Sequence, residues 1–101
     1  MHRRCGLLIV AFTLLIAARA SAQDDVLAKA REAARTGHRA EALTLLEAHL
    51  AQAPEDVDAR LLYGLVLSWE KRYDAARPVL QQVLTRAPEY TDARVALMNV
   101  E

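Results

Sequence analysis

Apolar residues recur at intervals of three and four along most of the chain, which is the spacing of one face of an α-helix. The run RAEALTLLEAHLAQ shows this most clearly, because Ala42, Leu43, Leu46 and Leu50 fall on one side of a helical projection. No segment alternates apolar and polar residues with the period of two that a half-buried strand requires. The pattern therefore predicts an all-α protein.

Glycine and proline divide this pattern into separate helices. The predicted helices span residues 24–36, 39–52, 56–71 and 73–86. Gly37 suits the left-handed turn that follows a helix. Pro54 and Pro88 each end a helix, because the residue before a proline avoids the helical region. Pro78 removes one hydrogen bond if its helix begins before residue 74.

The phrase APEDVDAR at residues 53–60 returns as APEYTDAR at residues 87–94, with six of eight residues identical. The same offset of 34 residues aligns Ala42 with Ala76, Leu46 with Leu80, Leu50 with Leu84, Pro54 with Pro88, and Asp24 with Asp58 and Asp92. A period of this length is typical of stacked units, in which each helical pair buries its apolar face on the next. We predict one unit over 23–56, a second over 57–90 and the first helix of an incomplete third over 91–101.

Small residues stand where the two helices of each unit should cross. They are Ala30 and Ala42 in the first unit, and Gly64 and Ala76 in the second. A glycine within a helix costs about 1 kcal/mol relative to alanine. We therefore expect Gly64 to permit a close approach of two helices.

These residues resemble the tetratricopeptide repeat, a helix–turn–helix unit of 34 residues. The second unit carries the family pattern at Gly64, Tyr73, Ala76, Leu80 and Pro88, and the first at Ala30, Gly37, Ala42, Leu46 and Pro54. The chain departs from the family at two positions that are aromatic in the family. One of them holds Val26 in the first unit and Arg60 in the second, and the other holds Ala33 and Leu67. The resemblance implies a helical-repeat (α–α) solenoid that serves as a non-enzymatic scaffold for protein–protein interaction.

The resemblance also implies a partner site, because the first helix of each tetratricopeptide unit lines the concave face of the solenoid. The corresponding residues here are Asp24, Leu27, Arg31, Ala34, Arg35, Asp58, Leu61, Leu65, Ser68, Trp69, Asp92, Val95 and Asn99. The lysine–asparagine clamp that some members use for carboxylates is absent, since Leu27 and Arg31 occupy its first-unit positions.

Two chemical features of this face suggest a partner. Arg31 and Arg35 lie four residues apart on one helix, so an acidic partner would relieve their mutual repulsion. Trp69 would supply a buried anchor of the kind that interfaces favour. The alternative is a solvated arginine face beside a half-packed tryptophan.

The N-terminal segment predicts export. Arg3 and Arg4 precede an apolar run over residues 6–18, and Ala20-Ser21-Ala22 has the small-x-small form that signal peptidase accepts. The run has 13 residues, whereas a membrane-spanning helix needs about 20. We expect a signal peptide over 1–22, cleaved between Ala22 and Gln23 to release a periplasmic protein; a retained anchor is the alternative.

Charge and cysteine usage narrow the class of protein further. The chain has 13 basic and 13 acidic side chains, and loss of Arg3, Arg4 and Arg19 with the signal leaves 10 against 13, a net charge of −3. That balance does not suit a nucleic-acid binder, which needs a basic excess. The only cysteine, Cys5, also leaves with the signal, so no disulfide is expected.

Candidate chemistry is sparse in the remaining chain. His38 and His49 have no cysteine or clustered carboxylates with which to complete a metal site. Gly37 and Gly64 are the only glycines left, so no phosphate-binding loop can form. We expect no enzymatic activity, no metal and no cofactor.

A finer resemblance concerns residues 66–101, VLSWEKRYDAARPVLQQVLTRAPEYTDARVALMNVE. This segment is similar to the periplasmic repeats that precede the outer-membrane β-barrel of YaiO-type proteins, which are linked to envelope assembly or polysaccharide export. The sequence stops at Glu101 within an apolar helical pattern, which favours a fragment or a truncated product over a capping helix. Two hypotheses follow: a periplasmic scaffold that binds a protein or peptide, or the N-terminal part of a barrel protein. In either case the incomplete third unit could self-associate.

Overall fold

The computed structural model describes residues 24–101, where all of the regular structure is α-helical. Helix α1 covers residues 24–35, followed by α2 (Arg39–Gln52), α3 (Val57–Trp69), α4 (Tyr73–Arg86) and α5 (Thr91–Val100). The all-α helical-repeat prediction is confirmed, and α2 and α4 have the bounds that the sequence predicts. The expected signal peptide lies outside the described residues.

The turn inside each unit has one backbone geometry. Gly37 and Lys71, 34 residues apart, both have positive φ, 87° and 61°. In both turns the next amide reaches back five residues, from His38 to the Ala33 carbonyl at 2.8 Å and from Arg72 to Leu67 at 2.9 Å. Helix α3 therefore ends at Trp69, two residues before the predicted end. The sequence gives no sign of this turn, because Lys71 adopts the left-handed conformation, which costs a residue with a side chain about 1–2 kcal/mol.

The repeated APExxDAR phrase forms the joint between units. Arg60 Nη2 donates to the Pro54 carbonyl at 2.7 Å, and Arg94 Nη2 donates to the Pro88 carbonyl at 2.6 Å. The chain turns in the same way at both places, since the amides of Asp56 and Tyr90 each donate to an alanine carbonyl at 3.1 Å. The phrase recurs because each junction needs a proline to end one helix and an arginine to bind that proline's carbonyl.

A single apolar core runs through the helices. Its buried members are Ala30, Ala33, Ala34, Ala42, Leu43, Leu46, Ala59, Val66, Leu67, Ala76, Leu80, Val83, Ala93, Ala96 and Val100. Helix α3 lies at the centre, because it packs against α2, α4 and α5. This continuity agrees with the expectation that each helical pair buries its apolar face on the next.

Gly64 lies at the closest approach of α3 and α4. A Cβ atom built there would lie 2.7 Å from Leu80 Cδ2, 3.0 Å from Leu80 Cγ and 3.2 Å from Val79 Cγ1. The expected packing reason for this glycine is confirmed, and the atoms nearest to it belong to Leu80 and Val79. Leu80 is itself fully buried, so it has little room to move aside.

Pro78 stands inside α4, at its sixth residue. Because α4 begins at Tyr73, an amide at residue 78 would have donated to the Asp74 carbonyl, and proline removes that bond. Residue 78 is exposed, so water can hydrogen-bond to the carbonyl that is left.

We expect Gly64→Ala to destabilise the protein by about 1 kcal/mol. Alanine is the better helix former by about 1 kcal/mol, but forcing a methyl group against buried side chains typically costs 1–3 kcal/mol. In a Leu80→Val background, which lacks Cδ2 and so removes the 2.7 Å contact, the same change should cost less. Urea unfolding followed by circular dichroism measures both effects. An equal effect of Gly64→Ala in both backgrounds would show that the close contact with Leu80 is not what requires glycine.

Candidate functional site

An open groove of about 370 Å³ lies between α3 and α5, at the end of α3 that adjoins α4. Its lining residues are Leu65, Ser68 and Trp69 from α3, Tyr73 from the start of α4, and Asp92, Val95, Ala96, Asn99 and Val100 from α5. Three large side chains in this lining stay exposed: Trp69 by 45%, Tyr73 by 42% and Val95 by 51%. The groove therefore presents apolar surface that folding does not bury.

A second depression, of about 350 Å³, lies near the N-terminal ends of α3 and α5. It is lined by Asp58, Leu61, Tyr90, Thr91 and Asp92, and Asp92 also lines the first groove. The Tyr90 hydroxyl donates to Asp58 Oδ1 at 2.7 Å across this depression. That hydrogen bond to a carboxylate raises the pKa of Tyr90. The two depressions form one continuous surface along α3 and α5.

Of the concave-face residues that the resemblance implies, the structure brings together those on α3 and α5. Leu65, Ser68, Trp69 and Asn99 line the groove, and Asp58 and Leu61 line the second depression. Their role in binding stays a prediction.

The members of this set on α1 line neither depression; they are Asp24, Leu27, Arg31, Ala34 and Arg35. Arg35 is already paired with Glu32 on the same exposed surface of α1. The hydrogen bond from this carboxylate raises the pKa of the Arg35 guanidinium. Neither depression therefore includes the basic end expected at these arginines.

Arg39, which sequence reasoning did not single out, positions the aromatic end of the groove. Its Nη1 atom donates to the Trp69 carbonyl at 2.9 Å and lies 3.7 Å from the Glu70 carboxylate. Arg39 begins α2, as Tyr73 begins α4 one repeat later. The 34-residue offset marks both as helix-start residues beside a turn, and that signal could have identified Tyr73 as part of the site.

A second feature that sequence reasoning missed is a hydrogen bond between a histidine and an aspartate at the first joint. His49 is buried, and its Nε2 atom lies 2.7 Å from Asp56 Oδ2. Asp56 Oδ1 also accepts the Ala59 amide at 3.1 Å, which caps α3. The available signal was the repeat itself, because the residue 34 positions later is the buried Val83, and a histidine in a core position needs a polar partner.

Comparison with known proteins identifies the class. A family model for the tetratricopeptide repeat matches residues 27–91, so the chain belongs to the tetratricopeptide repeat family. This family is a non-enzymatic scaffold type, and its repeats generally mediate protein–protein interaction. Comparisons with curated proteins and with solved structures found no match. Across residues 24–101, no helix combines the length and apolar character needed to cross a membrane.

The Asp56 carboxylate should contribute stability that depends on pH. Partial burial acts to raise the pKa of Asp56, but the hydrogen bonds from His49 and from the Ala59 amide together lower it. A lowered pKa in the folded protein means that the contribution is present above about pH 4, the ordinary aspartate value. It is lost as the pH falls through the lowered pKa.

We therefore expect the stability difference between wild type and Asp56→Asn to shrink between about pH 5 and pH 2, as the carboxylate becomes protonated. Asparagine caps a helix about as well as aspartate, so this variant removes the charge and keeps the cap. Asp56→Ala serves as the comparison, because it also removes the cap and should cost a further ~1 kcal/mol. Denaturant unfolding across this pH range provides the measurement. A difference that stays constant over the range would contradict the proposed charge contribution.

Proposed function

We propose that this chain is an exported tetratricopeptide scaffold that holds a segment of another protein in the groove between α3 and α5. The observation that carries the proposal is the convergence of three exposed apolar side chains, Trp69, Tyr73 and Val95, on one groove. Exposed apolar patches mark interaction sites, and tryptophan and tyrosine are favoured as anchors in them. The groove walls are the first helices of successive units, which are the helices that line the concave face in this family.

The size of the groove limits the partner. Nine residues line it, whereas a standard interface involves about 20–30 residues on each side. A short extended or helical segment therefore fits the groove better than the surface of a folded domain. Such a contact is expected to be weak and transient.

Photo-crosslinking tests the groove directly. A photoreactive residue at Ser68 should capture the partner, and Trp69→Ala in the same protein should abolish the capture. Truncation of a tryptophan anchor typically weakens binding by 2 kcal/mol or more, which is about 30-fold. Met98→Ala is the matched control, since Met98 is 70% exposed on α5 but lines neither depression.

Two outcomes would contradict this assignment. Capture from position 68 that survives Trp69→Ala would place the binding surface elsewhere. Capture of a second copy of the same chain would instead support self-association through α5, where Val95 and Met98 are exposed. Sedimentation at two protein concentrations, with wild type and Val95→Ser, separates a second copy from a different partner.

We also propose that the protein is exported and cleaved between Ala22 and Gln23. The support is the basic start, the short apolar run and the Ala-Ser-Ala ending of the N-terminal segment. Mass spectrometry of periplasmic protein should find a mature N-terminus at Gln23. An uncleaved product held in the inner membrane would contradict export with cleavage.

The alternative is that this chain is the N-terminal periplasmic part of a YaiO-type outer-membrane barrel protein. The similarity of residues 66–101 to the repeats that precede such barrels favours it. The coding sequence downstream of Glu101 separates the two. An open frame that continues into segments of about ten residues with alternating apolar positions would support the barrel protein. An in-frame stop would support the separate scaffold.

A further inference from the structure

The ionised side chains that line the two depressions are all acidic. They are Asp58 in the first turn of α3 and Asp92 in the first turn of α5. Within the part of the chain that the structure describes, no lysine, arginine or histidine lines either depression. Asp58 and Asp92 are both exposed, so they can meet the charges of a partner.

Nearby groups reinforce this negative charge. The pKa of Tyr90 is raised first by its hydrogen bond to Asp58, and the carboxylates of Glu89 and Asp56 add to the same direction. The N-termini of α3 and α5 oppose these charges, but each contributes only about half a positive charge. Arg60 and Arg94 stand two residues after Asp58 and Asp92, but both donate to proline carbonyls at the joints and neither lines a depression. The charged side chains that a bound segment would meet at this end of the continuous surface are therefore negative.

The opposite end of the groove is aromatic and neutral. Trp69 and Tyr73 lie there with Asn99. On α5, Asp92 and Asn99 are seven residues apart, and on α3, Asp58 and Trp69 are eleven residues apart. At 1.5 Å per residue these separations correspond to about 10 Å and about 16 Å. An extended peptide advances about 3.3–3.6 Å per residue, so about three to five residues span the groove from one end to the other.

We propose that the segment bound in this groove is basic, with a lysine or arginine at the Asp58–Asp92 end and an apolar or aromatic side chain about three to five positions away at the Trp69–Tyr73 end. This inference rests on the proposed function of the same groove. It differs from the acidic partner that Arg31 and Arg35 suggest, because those residues lie on α1 outside both depressions. A carboxylate at the Asp58–Asp92 end would be repelled.

The two ends of the groove contribute differently to binding. An exposed ion pair changes affinity only about two- to fivefold, and salt weakens it. The apolar contact with Trp69 therefore provides most of the affinity, while the carboxylates select the segment and its direction in the groove.

Designed peptides test the charge rule without a known partner. Three fluorescent peptides of glycine and serine are compared: one with lysine and tryptophan three positions apart, one with glutamate in place of the lysine, and one with serine in place of the tryptophan. The lysine–tryptophan peptide should bind wild type about five- to tenfold more tightly than the glutamate peptide at low salt, by fluorescence anisotropy. The difference should fall as salt is added.

Matched variants assign the effect to the two aspartates. Asp58→Asn/Asp92→Asn should reduce the preference for lysine to about one, while the Tyr90 hydroxyl can still donate to the amide oxygen that replaces the carboxylate at position 58. Glu41→Gln/Asp74→Asn is the control, because these acids also lie in first turns, of α2 and α4, and line neither depression. This control changes the net charge equally and should keep the preference. Circular dichroism confirms that each variant remains helical.

The outcomes separate the charge rule from the proposed function. Equal or tighter binding of the glutamate peptide, with Trp69→Ala still abolishing capture from Ser68, would overturn the basic segment and leave the groove intact. If no peptide binds and Trp69→Ala leaves the capture from position 68 unchanged, both the basic segment and the proposed function of the groove are overturned. Loss of the lysine preference in the Glu41→Gln/Asp74→Asn control would also overturn the proposal, because it would attribute the effect to net charge alone.

Discussion

The close crossing of α3 and α4 at Gly64 is the contact on which the remaining architecture depends. With no side chain at residue 64, Leu80 packs directly over the α3 backbone and is fully buried there. Helix α3 also packs against α2 and α5, so the position of its backbone sets both neighbouring interfaces. The groove is a consequence of this arrangement, because one of its walls is the side of α3 that faces α5 and carries Leu65 and Trp69.

The two units share backbone hydrogen bonds more closely than they share side chains. The joints have equivalent proline–arginine contacts, yet the His49–Asp56 pair of the first joint is replaced by Val83 and Tyr90 in the second. Asp56 caps α3, whereas the Tyr90 side chain makes no cap to α5 and donates instead to Asp58. This divergence places a tyrosine and a paired carboxylate on the surface that continues the groove.

Sequence periodicity predicted most of the fold because Pro54 and Pro88 mark the ends of α2 and α4, and Gly37 marks the turn before α2. It missed the end of α3, since the left-handed turn at Lys71 carries no glycine. It also missed the burial of His49, because a single polar residue on an apolar face shows its partner only once the joint has folded. For the site, the 34-residue offset placed α3 and α5 side by side. It could not show that Arg35 would pair with Glu32.

The contrast between α1 and α3 explains why the candidate site lies towards the C-terminal side of the described residues. The buried residues of α1 are Ala30, Ala33 and Ala34. Their small side chains allow close packing but offer little apolar surface to a partner. Helix α3 instead presents Leu65 and Trp69 towards the groove, with its C-terminal end held by the hydrogen bond from Arg39 to the Trp69 carbonyl. A wall fixed in this way loses less conformational freedom when a partner binds, so more of the apolar contact remains as affinity. The first unit therefore supports the surface, and the second unit together with α5 forms it.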